Sequence, residues 1–360
     1  MGTLRTILAL AVVVYHSYKL FGLRMCGGQV AVESFYMISG FYMALILNEK
    51  YIGVGSYKKF ILSRFYRIFP MYWFVLLLAL LLSLVGYFIF NHPYYLARYI
   101  SNYKYLSGIT IFYFVIENIT VFGQDILYFT RFNENYELVL TYNPLSYKHN
   151  GYQYLLVPQA WSISIEFLFY LIAPFLVTKK IKWQIALVLF GLTFKYYFSN
   201  IYYLRYDPWT YRFFPFEIAF FMAGSVAYKF YKYIEYKQIS LSVGYSLLIL
   251  CVSGILLFNE IPFEEKLKNN LFYCLILISL PFMFYSLKNN KIDRYIGELS
   301  FSLYIGHHIM VSVFRSYFFS HPQYLYYYGY TVVASSLMLA FLLQTTIVNR
   351  IEIYRKKRFS

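Results

Sequence analysis

The stretch of sequence that decides the fold is residues 68–90, IFPMYWFVLLLALLLSLVGYFIF, which contains no charged side chain. A transmembrane helix needs about 20 mostly apolar residues to cross the hydrocarbon core of a bilayer, so this stretch predicts one complete crossing. Working outward from it, similar apolar stretches occur at 4–22, 29–47, 159–178, 183–200, 213–230, 239–258, 270–287, 297–319 and 328–349. The sequence therefore predicts an all-α, polytopic membrane bundle of about ten transmembrane helices.

The composition excludes an ordinary soluble domain. Of 360 residues, 60% are hydrophobic and only 13% are charged, which leaves too little polar surface to cover a water-soluble fold. The 32 Lys and Arg residues outnumber the 16 Asp and Glu residues, but they fall in short runs between the apolar stretches. Such runs are typical of anchors beside membrane lipids, so we expect no nucleic-acid partner. The three cysteines, Cys26, Cys251 and Cys274, have the spacing of neither a disulfide framework nor a zinc site.

The positions of the basic runs predict the topology, because such runs flank membrane spans on the cytoplasmic side. The runs at 48–67 and 179–182 should share that side, so an even number of crossings separates them, and the two long apolar stretches between them already supply two. The shorter stretch 106–123 should therefore not cross. We expect it to be a re-entrant or interfacial element within a long outward-facing segment, 91–158, and both termini to be cytoplasmic.

Arg5 and His16 are ionisable residues inside the first predicted span. They lie eleven positions apart, which on a helix brings both to one face and separates them by about 16 Å along the axis. Arg5 then lies near the cytoplasmic surface and His16 near the middle of the membrane. Such residues usually mark functional positions. The alternative is that Arg5 is a snorkelling anchor and His16 an interior histidine with its hydrogen bonds satisfied.

Two acids also lie inside predicted spans. Glu33, in GGQVAVESFYMISGF, is expected beside the outer half of the first span, where His16 is its nearest partner; a carboxylate there would raise the basicity of the imidazole and fix its tautomer. Alternatively, Glu33 is exposed to interfacial water. Glu166, in WSISIEFLFYLIAP, can face one interior cavity together with Glu33, or it can form a structural hydrogen bond between helices.

Arg64 and Arg67 are spaced i, i+3 on one face where the third span begins, just after Lys58 and Lys59. They are either membrane anchors or a site for the phosphates of a cytoplasmic donor, which arginine forks suit well. The consecutive histidines His307 and His308 are polar residues inside the predicted span 297–319. On a helix the two side chains point about 100° apart, so at most one need face the interior, and we expect no metal site there.

Five stretches in order resemble motifs of acyltransferase family 3, the bacterial multi-span O-acyltransferases that modify surface glycans. They are RTILALAVVVYH (5–16), VESFYMISGF (32–41), SRFYRIFPMYW (63–73), WSISIEFLFYLIAP (161–174) and IGELSFSLYIGHHIM (296–310). The resemblance covers nearly the whole chain and implies a single acyltransferase-3-like membrane domain over 1–360. Two departures stand out: Gly2-Thr3 replaces an acid of the first motif, and Gly306 replaces the Trp before the late His.

The resemblance implies transfer of an acyl group, most often acetyl from acetyl-CoA, to a sugar hydroxyl at the outer face of a bacterial cytoplasmic membrane. The acceptor would be a glycan or lipid-linked saccharide of the cell envelope, and no metal is implied. His16 would be a general base or a transient acyl acceptor, and Arg5 would bind or polarise the donor. Glu33 or Glu166 would orient His16 or the acceptor, and Arg64 and Arg67 would hold the CoA phosphates.

The rival interpretation is a transporter or lipid-linked glycan exporter with an intramembrane Arg/His/Glu relay, since such residues also mark proton and ion pathways. The absence of visible internal repeats argues against it.

Overall fold

The computed structural model describes residues 1–359, and 78% of the chain is helical. The helices are α1 (Gly2–His16), α2 (Gly27–Glu49), α3 (Ser56–Phe90), α4 (Ala97–Asn102), α5 (Gly108–Thr120), α6 (Trp161–Leu176), α7 (Ile181–Ile201), α8 (Phe214–Lys237), α9 (Leu241–Leu256), α10 (Glu265–Leu287), α11 (Lys291–Ser320), α12 (Leu325–Leu343) and α13 (Asn349–Phe359). A short antiparallel pair, β1 (Thr130–Phe132) and β2 (Leu138–Leu140), lies between α5 and α6.

Each of the predicted apolar stretches falls on a helix. In the described part of the chain, five helical segments are long and apolar enough to cross a membrane: Gly27–Glu49, Ser56–Phe90, Pro158–Leu176, Glu265–Leu287 and Pro322–Arg355. The prediction of a helical, multi-pass membrane protein is confirmed. The total of about ten crossings and the cytoplasmic position of both termini stay predictions.

Glycines allow the helices around the centre of the bundle to touch backbone to backbone. A Cβ atom at Gly40 of α2 would lie 1.8 Å from the Phe221 carbonyl oxygen of α8, and one at Gly224 of α8 would lie 1.8 Å from that of Met37. Small residues at such crossings let membrane helices pack closely without a water-driven hydrophobic effect. This contact fixes the rotation of α2 and therefore the direction of its polar side chains.

A carboxylate on α11 caps the first turn of α1. Asp293 accepts hydrogen bonds from the Gly2 and Thr3 amides at 2.8 and 2.9 Å, and from the Thr3 hydroxyl at 2.9 Å. These amides have no partner within their own helix, and a negative charge there complements the helix dipole. An acid from α11 thus lies beside Gly2-Thr3, where the sequence lacks the acid of the first motif.

The segment 91–158 forms a small layer with its own hydrophobic cluster, joined to the bundle by buried polar groups. Asn118 of α5 accepts a hydrogen bond from the Leu156 amide at 2.8 Å, and its backbone carbonyl accepts one from the Tyr72 hydroxyl of α3. α5 has 13 residues, too few for a straight helix to cross a hydrocarbon core of about 30 Å. The placement of this segment outside the membrane stays a prediction. The cluster consists of Leu106, Phe114, Leu127, Phe132, Tyr154 and Leu155.

Candidate active site

A cavity of about 530 Å³ lies at the N-terminal end of α1, where α1, α2, α3, α6 and α11 converge. Five arginines line it, and three of them are those that the sequence singled out: Arg5 from α1, and Arg64 and Arg67 from the N-terminal half of α3. The other two are Arg294 of α11 and Arg355 of α13. We call it the arginine cavity. Arg5 and Arg67 line the same cavity, so arginines from two distant parts of the sequence form one positive wall.

Within the described part of the chain, Arg5, Arg64 and Arg67 have almost no hydrogen-bond or ion-pair partners. Arg64 is only 5% exposed. Among the residues that the structure describes, its single hydrogen bond is a 3.5 Å contact from Nη2 to the Ser63 hydroxyl, and its Nε has no partner. Within residues 1–359, none of the three arginines forms an ion pair. Buried positive charge is costly unless an anion neutralises it, so this wall suits a polyanionic ligand.

Glu166 lines the same cavity and carries a bonded carboxylate. Its Oε1 accepts a hydrogen bond from the Ser39 hydroxyl of α2 at 2.7 Å and another from the Tyr170 hydroxyl one turn later on α6. Both interpretations of this acid therefore hold in part, because it links two helices and also faces the cavity. Glu33 does not line this cavity and instead bonds Lys195 and Tyr273, so the expectation that Glu33 and Glu166 face one cavity is wrong.

His16 lies at the opposite end of α1, in a cluster of three imidazoles. Its ring centroid is 5.3 Å from that of His307 and 5.8 Å from that of His308. Both histidines of the late pair therefore reach His16, although the sequence required only one to face the interior. His308 is held by Tyr95, whose hydroxyl lies 3.1 Å from the His308 Nδ1 atom.

The surroundings of His307 determine its tautomer. Its Nδ1 lies 2.7 Å from the Tyr304 carbonyl oxygen, which can only accept, so Nδ1 carries the proton of the neutral ring. Its Nε2 is buried without a hydrogen-bond partner among the described residues. The His307 ring therefore presents a free lone pair in the cluster, which is a feature of a general base or of a group that positions one.

Tyr304 connects the two ends of the site. Its side chain lines the arginine cavity, where its hydroxyl lies 2.6 Å from the Ser162 hydroxyl, while its carbonyl oxygen bonds His307. Tyr304 thus lies between the arginine cavity and the histidine cluster and contacts both.

Glu33 lies in a different buried cluster, and the predicted contact with His16 is wrong. The Glu33 Oε1 atom is 2.6 Å from the Lys195 ammonium of α7, and Oε2 accepts a hydrogen bond from the Tyr273 hydroxyl of α10. The face of α2 that carries Glu33 packs toward α7, α8 and α10. A cation there is a stronger partner for the carboxylate than a neutral imidazole would be.

Sequence reasoning missed Lys195 and its second partner, Glu217 of α8, whose Oε1 is 3.2 Å from the ammonium. Each is a single charge within an apolar stretch, FGLTFKYYF and FPFEIAFF. Glu33 was singled out because an ionisable side chain inside a membrane span usually marks a functional position, and the same rule would have found both residues. Two fully buried carboxylates around one ammonium tie α2, α7 and α8 together.

Arg212, in the loop before α8, was also missed. Its guanidinium carbon lies 4.0 Å from the Tyr128 ring centroid and 4.1 Å from that of Trp161, and its Nε bonds Asp207 at 2.5 Å. Burial alone lowers the pKa of Arg212, but the neighbouring Tyr211, Tyr128 and Asp207 outweigh it and raise the pKa above its usual value.

A helical bundle with apolar spans and a charged interior cavity defines a multi-pass membrane protein with an enzyme-like site. The chain belongs to acyltransferase family 3: the family model described as acyltransferase domain matches residues 2–348. The resemblance predicted from the five motifs is confirmed, and the chain is a membrane acyltransferase. Comparison with curated proteins and with solved structures gave no match.

Proposed function

We propose that this protein is an O-acetyltransferase that moves acetyl from acetyl-CoA, bound from the cytoplasm, to a sugar hydroxyl. The acceptor is a glycan or lipid-linked saccharide at the outer face of a bacterial cytoplasmic membrane. The observation that carries the proposal is the wall of Arg5, Arg64 and Arg67, which form no ion pair with any described residue. The phosphates of a CoA donor supply the missing negative charge.

The length of α1 supports a donor that reaches from one end of the site to the other. Arg5 and His16 are about 16 Å apart along the helix axis. With its phosphates on the arginines, an extended donor arm passes Tyr304 and brings its thioester to the histidine cluster. The donor and the acceptor then meet at His16 from opposite ends of α1.

Two routes of acyl transfer are chemically feasible with these residues. In the direct route, His16 removes the proton from the sugar hydroxyl, the oxygen attacks the thioester carbonyl, and the carbon–sulfur bond breaks; the departing thiolate takes that proton from the imidazolium. In the other route, a neutral His16 nitrogen attacks the thioester carbonyl, the carbon–sulfur bond breaks, and the departing thiolate takes the proton of the other ring nitrogen. The sugar oxygen then attacks the acyl carbon, the carbon–nitrogen bond breaks, and the hydroxyl proton returns to the departing imidazole. The contact between the His307 and His16 rings supports a role for His307 in orienting His16 in either route.

The donor site is tested with purified protein in liposomes supplied with labelled acetyl-CoA and an acceptor oligosaccharide. Arg64→Gln removes a buried charge from the cavity wall while keeping a polar side chain of moderate length. We expect it to raise the KM for acetyl-CoA by about tenfold or more, the loss expected when a charge-assisted phosphate contact disappears.

Lys59→Gln is the matched control, because Lys59 is an exposed cation on the same helix that does not line the cavity. It should leave the KM for acetyl-CoA unchanged. Equal changes in Arg64→Gln and Lys59→Gln would reduce the arginines to membrane anchors, and absence of acetyl transfer by the wild-type protein would contradict the proposed function.

A further inference from the structure

A second cavity, of about 650 Å³, lies at the C-terminal end of α1. Its walls come from the loops that follow α1, α7 and α9 and from the first turns of α2 and α10; we call it the loop cavity. Tyr15 lines it, and the Tyr15 ring centroid is 5.2 Å from that of His16. The loop cavity therefore lies beside the histidine cluster, on the side away from the arginine cavity.

The loop cavity has an excess of positive charge that the protein does not neutralise. Of its acids, Asp207 is paired with Arg212, which leaves Glu265. Among residues 1–359, none of the cations that line the cavity forms an ion pair with a carboxylate. These cations are Lys19, Arg24, Arg205 and Lys268.

Membrane anchoring does not account for this charge. Basic residues accumulate on the cytoplasmic side of membrane proteins, and the predicted topology places this end of the bundle outside. A cluster of cations there runs against the trend, so it requires another physical reason. A bound anion provides one.

The remaining lining of the loop cavity suits a sugar. Aromatic faces offer apolar surface to the carbon–hydrogen face of a pyranose ring, and side-chain amides bind hydroxyl groups. The Oδ1 atom of Asn269 is buried and has no hydrogen-bond partner among the described residues, so one acceptor in this wall is available. The aromatic and amide residues are Tyr15, Tyr18, Tyr206, Tyr211, Gln29, Asn259 and Asn269.

We propose that the loop cavity binds the acceptor and that the acceptor is an anionic saccharide, one that carries a carboxylate or a phosphate group. The proposal rests on the proposed function for the meaning of "acceptor", but the binding itself requires no acyl donor. The cations hold the anionic group, the tyrosines and amides hold the ring, and a hydroxyl of the saccharide lies next to His16.

The test is a binding measurement without acetyl-CoA, on the full chain in nanodiscs of zwitterionic lipid. The probes are fluorescent tetragalacturonate, its methyl ester, maltotetraose and phosphorylated maltotetraose. We expect tetragalacturonate or phosphorylated maltotetraose to bind more tightly than its neutral counterpart, and the binding to weaken as salt is raised. The two charged probes distinguish a carboxylate from a phosphate.

The variant is Arg24→Gln combined with Lys268→Gln, and the matched control is Lys104→Gln, an exposed cation of the outer segment that does not line the cavity. The double variant should weaken binding of the charged probe by about tenfold, as expected for two partly screened charges. Lys104→Gln should leave it unchanged, and neutral probes should be unaffected by either change.

Several outcomes would overturn the proposal. The first is equal binding of the charged and neutral probes. The second is a loss of charged-probe binding in Lys104→Gln as large as that in the double variant. The third is a double variant that still binds the charged oligosaccharide and loses only its retention of added phosphatidylglycerol, which would make the cations a lipid site. Arg64→Gln separates the two proposals, because it should impair acetyl-CoA use and leave tetragalacturonate binding intact. If the charged probe binds but no variant or wild-type protein transfers acetyl, the proposed function fails and the anionic site stands.

Discussion

At the scale of single residues, the informative side chains are those that lack protein partners. Arg64 is buried with one long hydrogen bond, and the Nε2 atom of His307 has none among the described residues. Buried polar groups are normally satisfied, and a group left open in a cavity indicates a ligand or a reacting atom. By the same criterion, Lys195 is structural, because its ammonium is held by Glu33 and Glu217.

At this scale we predict that His16→Gln abolishes acetyl transfer. Glutamine keeps much of the bulk and hydrogen bonding of histidine but cannot take up a proton near neutral pH. Acetyl-CoA binding, measured by calorimetry on purified protein, should change by less than about tenfold, since the arginine cavity is untouched.

The control for this experiment is His149→Gln, in the outer segment and away from the imidazole cluster, which should retain full activity. Near-normal turnover in His16→Gln would show that His16 only positions other groups, and the general base would then be sought at His307.

At the scale of elements, α1 carries the site because both of its ends are used. Its first turn is capped by Asp293 and presents Arg5, while its last turn presents His16. α2 forms the opposite wall, and its rotation is set by close contact with α8 at Gly40 and Gly224. The site therefore depends on helix contacts that tolerate no side chain.

We predict that Gly224→Ala destabilises the protein by about 1–3 kcal/mol, because the new methyl group would overlap the Met37 carbonyl oxygen and push α2 away from α8. The measurement is thermal unfolding of the purified protein in detergent. Gly108→Ala is the control, since nothing lies within 4 Å of a Cβ atom there, and it should be neutral or slightly stabilising. An unchanged midpoint for Gly224→Ala would contradict the close packing of the two helices.

At the scale of the whole molecule, two cavities lie at opposite ends of one helix with a histidine cluster between them. The arginine cavity takes its arginines from α1, α3, α11 and α13, and the loop cavity takes its cations from the connections at the other end and from the first turn of α10. This arrangement is the one expected if the proposed donor and acceptor approach from opposite sides of the membrane.

The topology gives the prediction at this scale. In a background without Cys26, Cys251 and Cys274, a cysteine at Asn143 should react with a membrane-impermeant maleimide added to intact cells. A cysteine at Lys357 should react only after the cells are permeabilised. Both positions are exposed, so the opposite pattern would show that the chain is inverted relative to the basic runs.

The sequence by itself determined the class of the protein and half of the site. Long apolar stretches identify membrane helices because the bilayer fixes their length, and helical periodicity placed Arg5 and His16 at the two ends of one helix face. The grouping of Arg64 and Arg67 also followed from local spacing. These features are local, so the chain carries them without reference to the rest of the fold.

Only the tertiary structure decided which distant groups meet. Glu33 bonds Lys195, which is 162 positions away, and His16 meets His307 and His308 from the late motif. The loop cavity collects its cations from separate connections. The physical reason is that a polar side chain in a membrane bundle takes its partner from whichever helix its own rotation faces, and that rotation is set by close packing such as that between Gly40 and α8.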